Sequence, residues 1–276
     1  MEIMNRKKWT GERLETFILT RDAVDHLHRY AIAKTYVKNK KVLDIASGEG
    51  YGSNLLSEEA KYVFGVDIDT ETIEKAKIKY KKSNLYFQQG STSAIPLEDN
   101  SVDVVVSFET IEHHDEHNRM MIEIKRVLKP DGITIISTPD KYYYSDIRNF
   151  KNEFHKKELY KDEFKALISK NFSKMQLLNQ KNVRGNSIVQ NEKMDDEIKF
   201  YNGSYLKIFE ENATPMYLIS ISSDNNFKLQ HKSIFHESEL TKISKEQLAL
   251  NIKNSLTFRI GYIFMLPFRF FKKFFK

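Results

Sequence analysis

Residues 41–67 read KVLDIASGEGYGSNLLSEEAKYVFGVD. Lys41 to Ala46 is a short apolar run that stops at a glycine cluster, the pattern of a buried parallel strand. Gly48, Gly50 and Gly52 let the backbone turn tightly and approach a ligand. Ser53 to Ala60 suits a helix, and Tyr62 to Asp67 a second strand. Asp67 ends that strand about 20 residues after the turn, where a carboxylate can accept hydrogen bonds from two ribose hydroxyls. The order strand, glycine turn, helix, strand ending in an acid describes a nucleotide-type site in a doubly wound α/β sheet. The plainer alternative is a tight turn that needs glycine only for its backbone angles.

Outward from this stretch the same alternation continues. Asp22 to Lys38 reads as a helix with Val24, Leu27, His28, Ala31 and Ile32 on one face. Thr70 to Lys82 and the amphipathic Glu116 to Leu128 are further helices, and Leu85 to Gln88 and Val102 to Phe108 are strands. A Pro130-Asp131-Gly132 turn leads into a strand over Ile133 to Ser137. Lys161 to Asn171 reads as a helix, and Met175 to Leu178 and Tyr217 to Ser222 as two more strands. Alternating strands and helices imply right-handed crossovers and a mostly parallel sheet covered on both faces. The division expected is an N-terminal helical cap over 1–40 and a ligand-binding domain over 41–224 with a polar, irregular insertion at about 181–214. A linker of weak helical character follows over 225–250, and a basic amphipathic tail over 251–276.

A chain of 276 residues holds one sizeable domain and an appendage. It has no cysteine, which excludes disulfides, thiolate zinc sites and cysteine nucleophiles and fits a reducing compartment. The first residues, MEIMNRKKWTGERLE, carry no apolar core, so a signal peptide is not expected. No run of about 20 uncharged apolar residues suggests a spanning helix. The net charge of +6 is concentrated at one end. From Gln247 onward there is no acid, and Lys253, Arg259, Arg269, Lys272, Lys273 and Lys276 account for the whole excess. The basic character therefore belongs to the tail and argues against DNA, and against RNA, as partner of the main domain.

Glu109, Glu112, His113 and His114 follow directly on the strand that ends at Phe108, at the edge where open α/β sheets bind ligands. Spacings of three and four put Glu109, Glu112 and His113 on one side of a helical turn. His155 lies in NEFHKKELYKDEF (residues 152–164), after the next strand. A hydroxyl is a poor nucleophile near neutral pH, and a histidine base or a divalent cation remedies this. Two carboxylates and two imidazoles suit Mg²⁺, Mn²⁺ or Zn²⁺. The alternatives are His113 as a lone base, and Glu112 as a solvated helix residue. His114 reads as a surface residue. His28, Arg29 and Tyr30 read either as part of a helix covering the sheet edge or as a lid; Trp9, Gly11, Glu12 and Arg13 share that choice.

The chain resembles the class I S-adenosylmethionine-dependent methyltransferases over roughly residues 10–222. VLDIASGEGYG looks like their first motif, with Ala46 where glycine is common, and VFGVDID like their second. QQGSTSAIPLEDNSVDVVVSFETIEH resembles the third and fourth, with Ser91 where an acid is usual, and LKPDGITIISTP the fifth. The resemblance implies a Rossmann-like sheet of seven strands, the last antiparallel, with Met175 to Leu178 and Tyr217 to Ser222 as the sixth and seventh. It implies that Asp44, Gly48 and Gly50 line the methionine end of S-adenosyl-L-methionine and that Asp67 binds ribose. Ile68 would pack on adenine, and Ser91 and Thr92 would lie at its edge; the alternative to a metal role for Glu109 is a contact to the methionine amino group. The spacing of Glu109, Glu112 and His113 also resembles the metal motif of small-RNA 2′-O-methyltransferases and of ubiquinone-biosynthesis O-methyltransferases, with His155 as the completing ligand.

The GER at 11–13, HLHRYA, SGEGYGS, FETIEH, ISTPDKYYYSD and NEFHKKEL look like methyltransferases of bacterial surface-polysaccharide loci. That resemblance implies a glycan or nucleotide-sugar hydroxyl as acceptor; with the metal motif above it makes an O-methyltransferase the expectation, with His113, Glu112 and His155 as candidate catalytic residues and Mg²⁺ or Mn²⁺ as candidate further cofactor. The competing functions are an RNA ribose O-methyltransferase and a non-catalytic scaffold of a membrane glycan-assembly complex. In Ser255 to Lys276, SLTFRIGYIFMLPFRFFKKFFK, aromatic and aliphatic residues alternate with cations alone. Such a helix fits the surface of an anionic membrane, or docks on protein. The expected location is the cytoplasm, peripheral on the inner face of the plasma membrane.

Overall fold

The computed structural model describes residues 21–181, 201–205, 207–210, 215–262 and 264. Helix α1 (Arg21–Lys34) precedes β1 (Lys41–Ile45), α2 (Tyr51–Leu56), β2 (Tyr62–Asp67), α3 (Thr70–Lys79) and β3 (Leu85–Gln89). Then come β4 (Val102–Phe108), a 3₁₀ turn over Ile111–His113, α4 (His117–Val127) and β5 (Leu128–Pro139). After a π-helical turn over Tyr142–Asp146 follow α5 (Lys161–Asn171), β6 (Lys174–Lys181), β7 (Tyr201–Ser204) and β8 (Lys207–Glu210), then β9 (Pro215–Ser223) and α6 (Ser238–Asn254).

Seven strands form one sheet in the order β3-β2-β1-β4-β5-β9-β6. β1 to β5 pair in parallel, and β9 runs antiparallel to both β5 and β6. This is the doubly wound, mostly parallel arrangement that the alternation implied, and the two late strands take the sixth and seventh places. The apolar runs of β1 and β4 are buried on both faces. One core layer packs residues of α1, α2 and α3, such as Ala33, Leu56 and Ile73, against the sheet. The other packs Met120, Met121, Ile124, Phe164 and Ile168 of α4 and α5. The strand order reverses between β1 and β4, which opens a crevice at their carboxyl ends.

Three local expectations change. The Pro130–Gly132 turn is taken into β5: pairing moves from Val102–Leu128 to Val104–Ile133, so the extra residues bulge while the strand continues. The insertion expected to be irregular contains a β7–β8 ribbon, whose described side chains are exposed. A ribbon without a buried face leaves no apolar alternation to read; residues 182–200 lie outside the described residues. The expected linker is tied down in its first half. Gln230 exchanges hydrogen bonds with Gln176 on β6, and the Lys228 carbonyl accepts from the Tyr36 hydroxyl at 2.8 Å. Its second half forms most of α6, which runs into 251–254 and is followed by helical residues 256–262 after Ser255. Trp9, Gly11, Glu12 and Arg13 lie outside the described residues.

α1 belongs to the core. A Cβ on Gly52 would stand 1.9 Å from the Tyr30 ring, so only glycine admits Tyr30 at the start of α2. The Tyr30 hydroxyl lies 3.4 Å from both carboxylate oxygens of Asp44, and Ser53 Oγ donates to Asp44 Oδ2 at 2.7 Å. Burial pushes the Asp44 carboxyl from 3.8 up to about 7; the bonds from Ser53 and Tyr30 oppose the rise and Asp67 adds to it. The unfolded chain leaves this carboxyl near its ordinary value. Between about pH 4 and 7 the folded state therefore holds a proton that the unfolded state has lost, and stability falls as pH rises through that window. Asp44→Asn should reduce this fall, as measured by urea unfolding at pH 5 and pH 7.5. An unchanged pH difference in the variant would show that Asp44 is not the linked group.

Candidate active site

The carboxyl ends of β1, β2 and β3 gather the residues expected to hold a nucleotide. Gly48 has φ 53°, and a Cβ there would meet nothing within 4 Å, so the loop borders open space. Its N–H donates to Asp67 Oδ2 at 2.9 Å and that of Asp69 to Oδ1 at 3.0 Å, which fixes the carboxylate at the end of β2. Gly50 has φ 87° and caps α2; a Cβ on it would strike Phe87 at 2.6 Å. Ile68, beside Asp67, is 66% exposed, a large apolar side chain on an otherwise polar rim. Ser91 and Thr92 follow β3; Ser91 Oγ is 3.3 Å from Ser93 Oγ and Thr92 Oγ1 is 3.4 Å from His114 Nε2. A fixed carboxylate, an exposed apolar face and an open glycine loop fit an adenosine group. His114, expected at the surface, is half-buried against His117 at 5.5 Å between ring centres, because the 3₁₀ turn folds its ring back toward α4.

Glu109 departs from its expected place. It has φ 50°, so no continuous helical turn carries Glu109 with Glu112 and His113. Its Oε1 accepts from Ser137 Oγ at 2.6 Å and lies 3.3 Å from Arg29 Nη1. Arg29 is 1% exposed, donates from Nε to Gln180 Oε1 at 2.7 Å, and lies over the Tyr217 ring at 4.3 Å. Both terminal nitrogens of Arg29 are without a hydrogen-bond partner among the described residues.

Glu112, His113 and His155 do converge: one ligand atom from each lies within 4.8 Å of the others. Glu109 is not in this group, because its left-handed backbone and the Arg29 charge turn it toward α1. The Glu112 carbonyl accepts from the amides of Lys156 and Lys157 at 2.9 and 3.0 Å, which pins the His155 loop to the 3₁₀ turn. Glu112 is buried; Oε2 accepts from Thr138 Oγ1 at 3.3 Å and Oε1 is without a partner among the described residues. Burial, and then the Glu109 carboxylate, push the Glu112 carboxyl well above the usual range. His113 Nδ1 donates to the Phe154 carbonyl at 3.1 Å, and His155 Nδ1 to Glu158 Oε1 at 2.5 Å. Both rings therefore carry their lone pair on Nε2. His155 Nε2 accepts from Asn152 at 3.0 Å, and its ring stacks on Tyr144. Ser145 Oγ donates to Glu158 Oε2 at 2.6 Å.

Sequence reasoning named His155 but not the groups that orient it, Glu158, Asn152 and Ser145. Glu158 stands three residues on, in the same motif, and was legible there. Gln180 and Tyr217 arrive from β6 and β9, and nothing local in the sequence joins them to Arg29.

Residues 43–136 match the family model described as a methyltransferase domain. A Mycolicibacterium smegmatis protein named "Probable S-adenosylmethionine-dependent methyltransferase" is 36% identical over 130 residues, 47% of this chain and 50% of that protein. A Mycobacterium ulcerans protein named phthiotriol/phenolphthiotriol dimycocerosates methyltransferase 1 is 30% identical over 129 residues, 45% of this chain and 44% of its own length. The chain thus spans about half the length, or less, of the curated relatives it matches. Among solved structures, an S-adenosylmethionine-dependent methyltransferase of Mesorhizobium loti superposes with TM-score 0.51 at 14% identity, over 72% of this chain and 97% of that one. The PH0226 protein of Pyrococcus horikoshii gives 0.51 at 22% identity, over 74% and 92%. These likenesses establish the fold. The segment 43–136 is similar to the methyltransferase domain that the family model describes, and to part of proteins named as S-adenosylmethionine-dependent methyltransferases.

Proposed function

We propose that the chain is an O-methyltransferase that acts on a hydroxyl of a glycan or of its sugar precursor. S-adenosylmethionine, when bound, supplies an electrophilic sulfonium methyl. Asp67 would hold the ribose, Ile68 the adenine face, and Ser91 and Thr92 its edge. The loop from Asp44 to Gly50 borders the methionine end. There Glu109 suits the ammonium, and Arg29, whose two buried terminal nitrogens lack hydrogen bonds among the described residues, suits the carboxylate.

The observation that carries the reading is the convergence of Glu112, His113 and His155 beyond the end of β4. A sugar hydroxyl must lose its proton as the new bond forms. One carboxylate and two imidazoles make a donor set for Mg²⁺ or Mn²⁺ once Asn152 yields the His155 Nε2 lone pair, and Glu112 Oε1 is buried without a hydrogen-bond partner among the described residues. Glu112, His113 and His155 would hold the cation, whose positive charge would favour loss of the proton from a hydroxyl beside it. The Glu158 carboxylate keeps His155 in the tautomer this needs.

The tail supports action at a membrane. No helix among the described residues is long and apolar enough to cross one. Leu256, Phe258, Ile260, Tyr262 and Phe264 are exposed, in a stretch whose only charges are positive. An anionic lipid surface covers such residues and contributes about 1 kcal/mol per cation.

Asp67→Ala should weaken S-adenosylhomocysteine binding by roughly 1.5–3 kcal/mol, as read by calorimetry; unchanged affinity would remove Asp67 from the site. Excess chelator, and His155→Ala, should abolish methyl transfer while leaving that binding nearly intact. Full activity in chelator would remove the cation and leave His113 as the base. The full chain should sediment with anionic vesicles at low salt and lose this on truncation after Asn251; a full chain that ignores such vesicles would end the membrane assignment.

A further inference from the structure

An open depression of about 370 Å³ lies beside His155. Lys141, Lys151, Lys156 and Lys157 line it together with Ser145 and His155. Its two acids are engaged: Glu158 accepts from His155 and Ser145, and Asp146 accepts from the Tyr160 hydroxyl at 3.0 Å. Lys156 is paired with Asp115 at 2.9 Å, and Lys141 lies over the Tyr160 ring at 4.5 Å. Lys151 and Lys157 have no ion-pair partner among the described residues. Scattered surface lysines are ordinary and solvated. These four instead rim one concavity, where they outnumber the carboxylates of Asp146 and Glu158, and a positive excess there favours an anion. A neutral sugar gains nothing from four ammonium groups, whereas a phosphoryl group bonds to them directly.

We infer that this cavity binds a phosphoryl group of the acceptor, so that the methylated sugar is a phosphate or diphosphate ester. The word acceptor rests on the methyltransferase reading above; the anion site itself does not. The phosphoryl group would enter at the lysines and bring the attached sugar to His155. A nucleotide-linked sugar and a simple sugar phosphate share this chemistry.

The test is calorimetric titration of the full chain at low ionic strength with glucose 1-phosphate, inorganic pyrophosphate, uridine diphosphate glucose and glucose, and separately with S-adenosylhomocysteine. The phosphorylated probes should bind and glucose should not. Lys151→Glu with Lys157→Glu should weaken their binding about tenfold or more, and the corresponding Gln pair less. S-adenosylhomocysteine affinity should be unchanged in both variants, which also reports that they fold. Tighter binding of uridine diphosphate glucose than of glucose 1-phosphate assigns a nucleotide-linked acceptor, and the reverse a simple sugar phosphate. Failure of all phosphorylated probes to bind, glucose binding as tightly as glucose 1-phosphate, or binding indifferent to the charge reversals overturns the site. Wild-type protein that ignores S-adenosylhomocysteine overturns the methyltransferase reading instead, and leaves the anion titration to stand alone.

Discussion

Arg29 lies almost fully out of water, with its charge 3.3 Å from the Glu109 carboxylate. Burying an ion pair costs several kcal/mol per ion, and attraction offsets this only when the geometry is good and the remaining donors are satisfied. Here the separation is long, and both terminal nitrogens lack hydrogen bonds among the described residues. The same guanidinium bonds Gln180 of β6 and covers Tyr217 of β9. One side chain of α1 thus ties the end of β4 to the two strands beyond β5. With Tyr30 and Ala33 buried beside Arg29, α1 of the HLHRYA stretch packs as a wall of the crevice. The unmet donors of Arg29 give an anionic ligand a place where it would relieve the fold.

The rest of the edge is organised by carboxyls in unlike surroundings. Asp44 is buried among Tyr30, Ser53 and the start of α2; Glu112 is buried beside Thr138 and the two histidines. Burial raises both. A carboxyl held reluctant to ionise regains its charge when a cation arrives, so both positions respond to positive charge nearby. Asp67 is different: two backbone N–H groups hold its oxygens, and it presents a fixed acceptor. Differences of this kind allow several acids to share one edge and do separate work.

How much of this could be read beforehand follows the range of the interactions. β1, β2 and β4 are continuous apolar runs between turns, and the glycine loop and Asp67 sit at fixed distances from them; local pattern sufficed. The convergence of His155 on Glu112 and His113 was legible because topology brings the ends of adjacent parallel strands to one edge. Glu109 was misplaced because spacing alone assumes a helical turn, and its left-handed backbone cancels that assumption. The β5 bulge and the β7–β8 ribbon were missed for a related reason. A Pro-Asp-Gly sequence signals a turn in isolation, yet pairing to β4 keeps it extended. A ribbon exposed on both faces leaves no periodic signature.

The segment between β5 and α5 joins the two halves of the proposed chemistry. The amides of Lys156 and Lys157 hold the Glu112 carbonyl, while the side chains of the same two residues line the lysine cavity. His155 stands between them, its ring fixed by Glu158, Asn152 and Tyr144. A group bound there under the proposal would be registered through the backbone to Glu112, His113 and His155. Such registration is how binding energy far from the reacting atom becomes orientation at it. It also accounts for the density of contacts on an otherwise polar loop. A loop that only closed the fold would not need both oxygens of Glu158 and both ring nitrogens of His155 engaged at once.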